Sequence, residues 1–94
     1  MCLMIKTFRS KAFEMFAATG DGSKLPVKNH AKVRRIIDAL NAATQPEDMN
    51  VPGYHFHSLQ GDPKRYSVRV TGNYRITWGW EEGDAVAVDI EDYH

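Results

Sequence analysis

Cysteine occurs once in the 94 residues, at Cys2, so no internal disulfide can form and a disulfide-built scaffold is excluded. No stretch approaches the roughly 18 apolar residues of a membrane-spanning helix. The opening MCLMIKTFRSKAF also lacks the apolar centre of a secretory signal. Paired cysteines, a Gly-rich phosphate loop with its lysine, and a nucleophile elbow are missing as well. These absences remove the commonest metal, nucleotide-hydrolysis and serine-hydrolase readings. The expectation is one domain spanning residues 1–94, cytoplasmic, without a membrane segment.

Net charge is also absent, because twelve Lys and Arg balance twelve Asp and Glu. The charges are not evenly spread. Every cation lies between Lys6 and Arg75, whereas Glu81, Glu82, Asp84, Asp89, Glu91 and Asp92 crowd half of the acids into the carboxyl end. A basic face can therefore exist under a neutral total.

What is present is a change of period halfway along. MIKTF (Met4 to Phe8) suits an edge strand. Ser10 is placed to cap a helix whose Phe13, Phe16 and Ala17 share one face, and Gly20 is placed to stop it. Pro26 suits the first turn of a second helix. There Val33, Ile36, Ile37 and Leu40 recur at i, i+3, i+4 and i+7 as one apolar stripe. From Tyr54 the period becomes two, broken by Gly, Pro, Asn and Asp, which predicts an antiparallel meander. The fold class expected is α+β, with an N-terminal strand and two helices packed on an antiparallel sheet.

Matching apolar residues across the turns predicts two three-residue hairpin loops. With Thr71, Gly72 and Asn73 as a loop, Val68 faces Ile76 and Val70 faces Tyr74. With Glu81, Glu82 and Gly83 as a loop, Trp80 faces Asp84, Trp78 faces Val86 and Ile76 faces Val88. Even-numbered residues then meet the helices. The odd face collects Arg69, Arg75, Thr77, Asp89, Glu91 and Tyr93, with Arg69 opposite Arg75 and Asp89 beside Arg75. Opposed arginines suit a phosphate.

His55, His57 and Asp62 do not complete a metal ligand set, so neither metal nor other cofactor is expected. The residues left for chemistry are His57, Arg75, Tyr93 and His94, with Lys64, Arg65 and Arg69 as nearby cations for binding RNA. Histidine can accept and donate a proton near neutral pH, and arginine grips a phosphate through two donors. RNA brings its own nucleophile, the 2′-hydroxyl. A base, an acid and a cationic clamp suffice to cut it.

The stretch HSLQGDPKRYSVRVTGNYRITWGWEEGDAVAVDIEDYH, residues 57 to 94, resembles the carboxyl half of the HigB toxins, in the RelE and ParE superfamily of bacterial toxin–antitoxin systems. Their pattern runs H-x-L-K-G-D, S-[IV]-R-V, N-[WY]-R-I-x-[FW] and a terminal D-Y-H. The resemblance extends to the opening MIKTF and the two helices. It implies a RelE-like fold similar to microbial ribonucleases, and ribosome-dependent endoribonuclease cleavage of mRNA that arrests translation. It further implies inhibition by a HigA-like antitoxin. His57 would correspond to the pattern's histidine, Arg75 to its phosphate-binding arginine, and Tyr93 with His94 to its terminal pair. Gln60 stands where the pattern has lysine, with Lys64 or Arg65 as substitutes. The alternatives are a ParE-like inhibitor of DNA gyrase and a catalytically weak RNA-binding module.

Overall fold

A computed structural model describes residues 5–59, 61 and 64–92. Helix α1 spans Lys11–Thr19. Ser10 caps it by accepting the Phe13 N–H at 3.3 Å. Gly20 ends it at φ 82°, donating to the Phe16 carbonyl at 2.8 Å. That left-handed conformation is one which glycine adopts without a Cβ clash. The helix buries Phe13 and Phe16.

Helix α2 spans His30–Ala42, beginning four residues after the start expected from Pro26. Asn29 supplies the missing cap, its Oδ1 accepting the Lys32 N–H at 3.2 Å. The residues before it are held in turns instead. Asp21 accepts the Ser23 N–H at 3.0 Å, the Leu25 N–H reaches the Gly22 carbonyl at 3.0 Å, and Val27 enters the core. A Cβ on Gly22 would lie 2.6 Å from the His30 ring. A side chain there would require the His30 ring to shift. The apolar stripe is as the sequence predicts: Val33, Ile36, Ile37 and Leu40 are all buried. A single 3₁₀ turn, Pro46–Met49, adds Met49 to the core.

Four strands follow, β1 His57–Leu59, β2 Arg65–Arg69, β3 Tyr74–Glu81 and β4 Asp84–Asp92. They form one antiparallel sheet in the order β1-β2-β3-β4. The first predicted loop is observed. Val68 pairs with Ile76 and Arg69 with Arg75. Thr71 Oγ1 fixes the turn by accepting the N–H groups of Asn73 and Tyr74, each at 3.2 Å.

The second loop differs from the expectation. Glu81 pairs with Asp84 and Trp80 with Ala85, which leaves a two-residue turn of Glu82 and Gly83 at φ 51° and 84°. Two positive φ values give the turn whose twist matches its strands. Continued unbroken, that pairing would put Val88 and Ile90 on the polar face and Asp89 and Glu91 in the core. A β-bulge prevents this. Gly79 pairs with Val86, but Thr77 pairs with Asp89, Ile76 with Ile90 and Arg75 with Glu91. Ala87 sits in the bulge at φ 49°. The extra residue restores the apolar alternation, and Glu91, not Asp89, becomes the neighbour of Arg75.

The amino-terminal segment lies where an edge strand is expected, parallel to β4, but touches it through two isolated bridges, Ile5 to Ala85 and Phe8 to Val88. The bulge bends β4 between them and interrupts a continuous ladder. Thr7 spans the gap with its side chain, Oγ1 accepting the Ala87 N–H at 2.7 Å. Met4 lies outside the described residues.

Both helices cover the even face of the sheet. The core joins Phe13, Phe16, Ile36 and Leu40 to Val68, Ile76, Trp78 and Val88. Phe56, Tyr66 and Trp78 cluster at its edge, with ring centroids 6.0 to 6.3 Å apart. Among the described residues no helix is long and apolar enough to cross a membrane.

Candidate active site

The opposite face of the sheet is polar, and the strand pairing arranges it in rows. One row runs His57, Ser67, Thr77, Asp89 across all four strands. A second holds Arg69, Arg75 and Glu91, and a third Leu59, Arg65, Gly79 and Val86. Neighbouring strands are about 4.8 Å apart and rows about 7 Å apart. His57 and Arg75 are thus separated by two strands and one row, about 12 Å between Cα atoms, a gap that an arginine side chain and a bound phosphate can bridge.

Beneath the long side chains the face is tightly made. Ser67 and Thr77 are buried at 2% and 0% exposure. Thr77 Oγ1 donates to Glu91 Oε2 and accepts from Arg65 Nη2 at 3.0 Å. The same Nη2 donates to the Ala87 carbonyl at 2.9 Å. Arg65 therefore ties β2, β3 and the bulge of β4 together. Burial lowers its pKa first and the nearby Arg9 charge adds to this, while Glu91 and Asp89 pull it back up. It remains a cation.

The structure unites part of the predicted set. His57, Arg65, Arg69 and Arg75 share this face, with His57 exposed on the short outer strand. Lys64 does not join them. Its Nζ lies 5.7 Å from the centroid of Tyr66, a residue of the helix-facing side. Tyr93 and His94 lie outside the described residues, as do Gln60 and Asp62; β4 leads towards the last two residues as far as Asp92, which pairs with Tyr74. Among the described residues no three His, Cys, Asp or Glu side chains gather as a metal cradle requires.

The Arg65, Thr77 and Glu91 network is a part of the site that sequence reasoning did not assemble. Its signal was the recurrence of polar residues at odd positions, and the bulge hid which acid stands beside Arg75.

Comparison with known proteins agrees with this geometry. Residues 6–94 match the family model of the HigB-like toxin, described as the RelE-like toxin of the type II toxin–antitoxin system HigB. A protein of Proteus vulgaris named endoribonuclease HigB is 34% identical over 92 residues, covering 97% of this chain and 100% of the relative. A match along nearly the whole chain, on two helices and a four-stranded antiparallel sheet with an arginine-rich polar face, shows that the protein belongs to the HigB-like family of type II toxins.

Proposed function

We propose that this toxin is an endoribonuclease that cuts mRNA on the ribosome, arrests translation, and is held inactive by a HigA-like antitoxin. The family and the relative's name support the nuclease activity. The observation that carries the chemistry is the polar sheet face, where three guanidinium groups, Arg65, Arg69 and Arg75, stand with the imidazole of His57.

Arg75 holds the scissile phosphate, and its charge offsets the negative charge that builds up in the transition state. One histidine, His57 or His94, removes the 2′-hydroxyl proton. The 2′-oxygen bonds to phosphorus as the bond to the 5′-oxygen breaks, and the other histidine protonates that leaving oxygen. The products are a 2′,3′-cyclic phosphate and a 5′-hydroxyl. Tyr93 stacks on a base or orients His94. Arg69 and Arg65 bind the strand. Gln60 stands in place of the pattern's lysine, and of the two cations that follow it Arg65, not Lys64, shares the face of Arg75, where it binds the flanking strand.

The test supplies purified protein to ribosomes programmed with a defined mRNA and maps the ends. Cuts bearing 5′-hydroxyls are expected, persisting in a transition-metal chelator while Mg²⁺ is maintained. Removing His94 should slow cleavage about 10² to 10⁴-fold with ribosome binding and Tm unchanged. Translation arrest without cuts would remove the nuclease reading. Undiminished cutting after the deletion would take the tail out of the chemistry.

A further inference from the structure

Beside the third row the polar face is not flat. Arg9, Arg65, Gly79, Trp80, Val86 and Ala87 surround a hollow of about 450 Å³, within the range of small-molecule sites. Its floor exists because position 79 is glycine. A Cβ there would meet Val86 Cγ2 at 3.3 Å and stand 3.9 Å from Arg65 Nη1, so any side chain would fill the space. The walls are of two kinds. Val86 and Ala87 are apolar, whereas Arg9 and Arg65 bring two guanidinium groups close enough for the charge of one to disfavour the other.

Arg65 is built to present that charge. Among the described residues both of its side-chain hydrogen bonds leave from Nη2, to Thr77 and the Ala87 carbonyl. This anchor fixes the guanidinium plane and points Nη1 over Gly79. Arg9 is fixed at its backbone, where its N–H reaches the Val88 carbonyl at 2.8 Å, and its side chain is exposed. Glu81 stands at the same rim and repels an anion there, which steers negative charge to the arginine side. An apolar floor beneath two convergent cations suits a nucleotide, its base on the floor and its phosphate at the guanidinium groups.

We infer that this hollow is a second RNA subsite, holding a nucleotide of the same strand outside the one being cut, with its base over Gly79 and Val86 and its phosphate between Arg9 and Arg65. The inference rests on the nuclease reading and extends it. Gly79 lies four residues along β3 from Arg75, about 13 Å, so the nucleotide in the hollow is not the one whose phosphate Arg75 holds. A subsite at this distance lets the enzyme grip flanking RNA and makes KM depend on residues that do no chemistry.

The experiment uses full-length protein on ribosomes programmed with an mRNA blocked by a 2′-O-methyl group at the cut nucleotide. 5-Iodouridine is placed at one flanking position at a time. Irradiation should crosslink one flanking position, and not the cut nucleotide, to the peptide carrying Trp80. Gly79→Val should abolish that crosslink. Arg9→Ala, at an exposed side chain, should raise KM for mRNA about tenfold with kcat retained, and decides the matter should Gly79→Val fail to fold. Crosslinks confined to the His57 and Arg75 peptides, with unmodified mRNA still cut, would overturn the subsite and leave the nuclease standing. Absence of cutting by the unaltered protein would overturn both. Gly79-dependent binding of 5′-AMP without any RNA crosslink at Trp80 would assign the hollow to a free nucleotide and overturn the RNA assignment.

Discussion

Ile76 and Trp78 are fully buried against the helices, while Arg75 and Thr77, their neighbours along β3, serve the opposite face. The two faces of one strand thus face different demands. On the helix side the demand is volume, since close-packed side chains tolerate neither a void nor an excess atom. On the polar side it is placement of charge and protons, and most changes there leave the packed core intact. The helix side confers stability that any α+β domain could use. The polar side uses that rigidity to hold cations which, placed this close, repel one another.

The largest test of this contrast exchanges one residue on each face. Trp78→Ala should cost about 3 to 5 kcal/mol, a large share of the roughly 5 to 15 kcal/mol available to a domain. Chemical unfolding should show it, and cleavage should fall only as folded protein is lost. Arg75→Ala should shift stability by no more than about 1 kcal/mol and slow cleavage about 10² to 10³-fold, as losing one aimed electrostatic stabiliser does. If Arg75→Ala unfolds the protein, or Trp78→Ala leaves it stable, the division between the faces fails.

How legible this was from the residues depends on what kind of signal each element carries. The stripe of Val33, Ile36, Ile37 and Leu40, the Ser10 and Gly20 caps, and the Val68 to Ile76 pairing are local or periodic patterns, and they appear as expected. The start of α2 was misplaced because Pro26 is permissive at a helix start, whereas Asn29 satisfies a backbone donor there. The second hairpin was misread because two solutions bury nearly the same apolar residues. A three-residue loop with a straight ladder and a two-residue loop with a bulge both bring Val88 into the core. Turn twist decides between them, and the alternation of residues does not report it. The arginine-rich face was visible as odd-numbered spacing. The hollow beside it was not, since it depends on the absence of a side chain at Gly79 and on which residue bulges.

The bulge gives the next prediction, and it sharpens the comparison within a single strand. Ala85 is buried at 1% exposure on the helix side, while Ala87 holds φ 49° and gives its N–H and carbonyl to the side chains of Thr7 and Arg65. A residue with a Cβ pays roughly 1 to 2 kcal/mol in the left-handed region. Glycine escapes that cost but loses about 0.5 to 1 kcal/mol through its freer unfolded chain. Ala87→Gly should therefore be neutral or stabilising by up to about 1 kcal/mol. Ala85→Gly should destabilise by about 1 kcal/mol, through lost burial and backbone entropy. Equal destabilisation by the two substitutions, measured by denaturant unfolding, would show that the bulge conformation is not strained.

The smallest expected effect lies away from both faces and concerns pH. Asp48 sits in the 3₁₀ turn and accepts the Thr44 N–H at 2.9 Å, the Thr44 hydroxyl at 3.1 Å and the Gln45 amide at 3.3 Å. The Thr44 backbone bond is the main reason its pKa falls below the ordinary value of 3.8, with the Gln45 side chain next. A carboxyl depressed on folding contributes stability above its unfolded pKa, and that contribution fades as pH falls through the lower folded value. Its window therefore opens below 3.8, well under the range in which a histidine titrates. Asp48→Asn should lower Tm slightly at neutral pH, and the gap to the unaltered protein should close as the solution is acidified through that window. Cleavage near neutrality should not change, because the turn touches neither the arginine face nor the hollow. A Tm difference that stays constant down to about pH 2 would show that the charge on Asp48 is not what its hydrogen bonds stabilise, and a change in cleavage would break the separation of stability from chemistry at its least expected point.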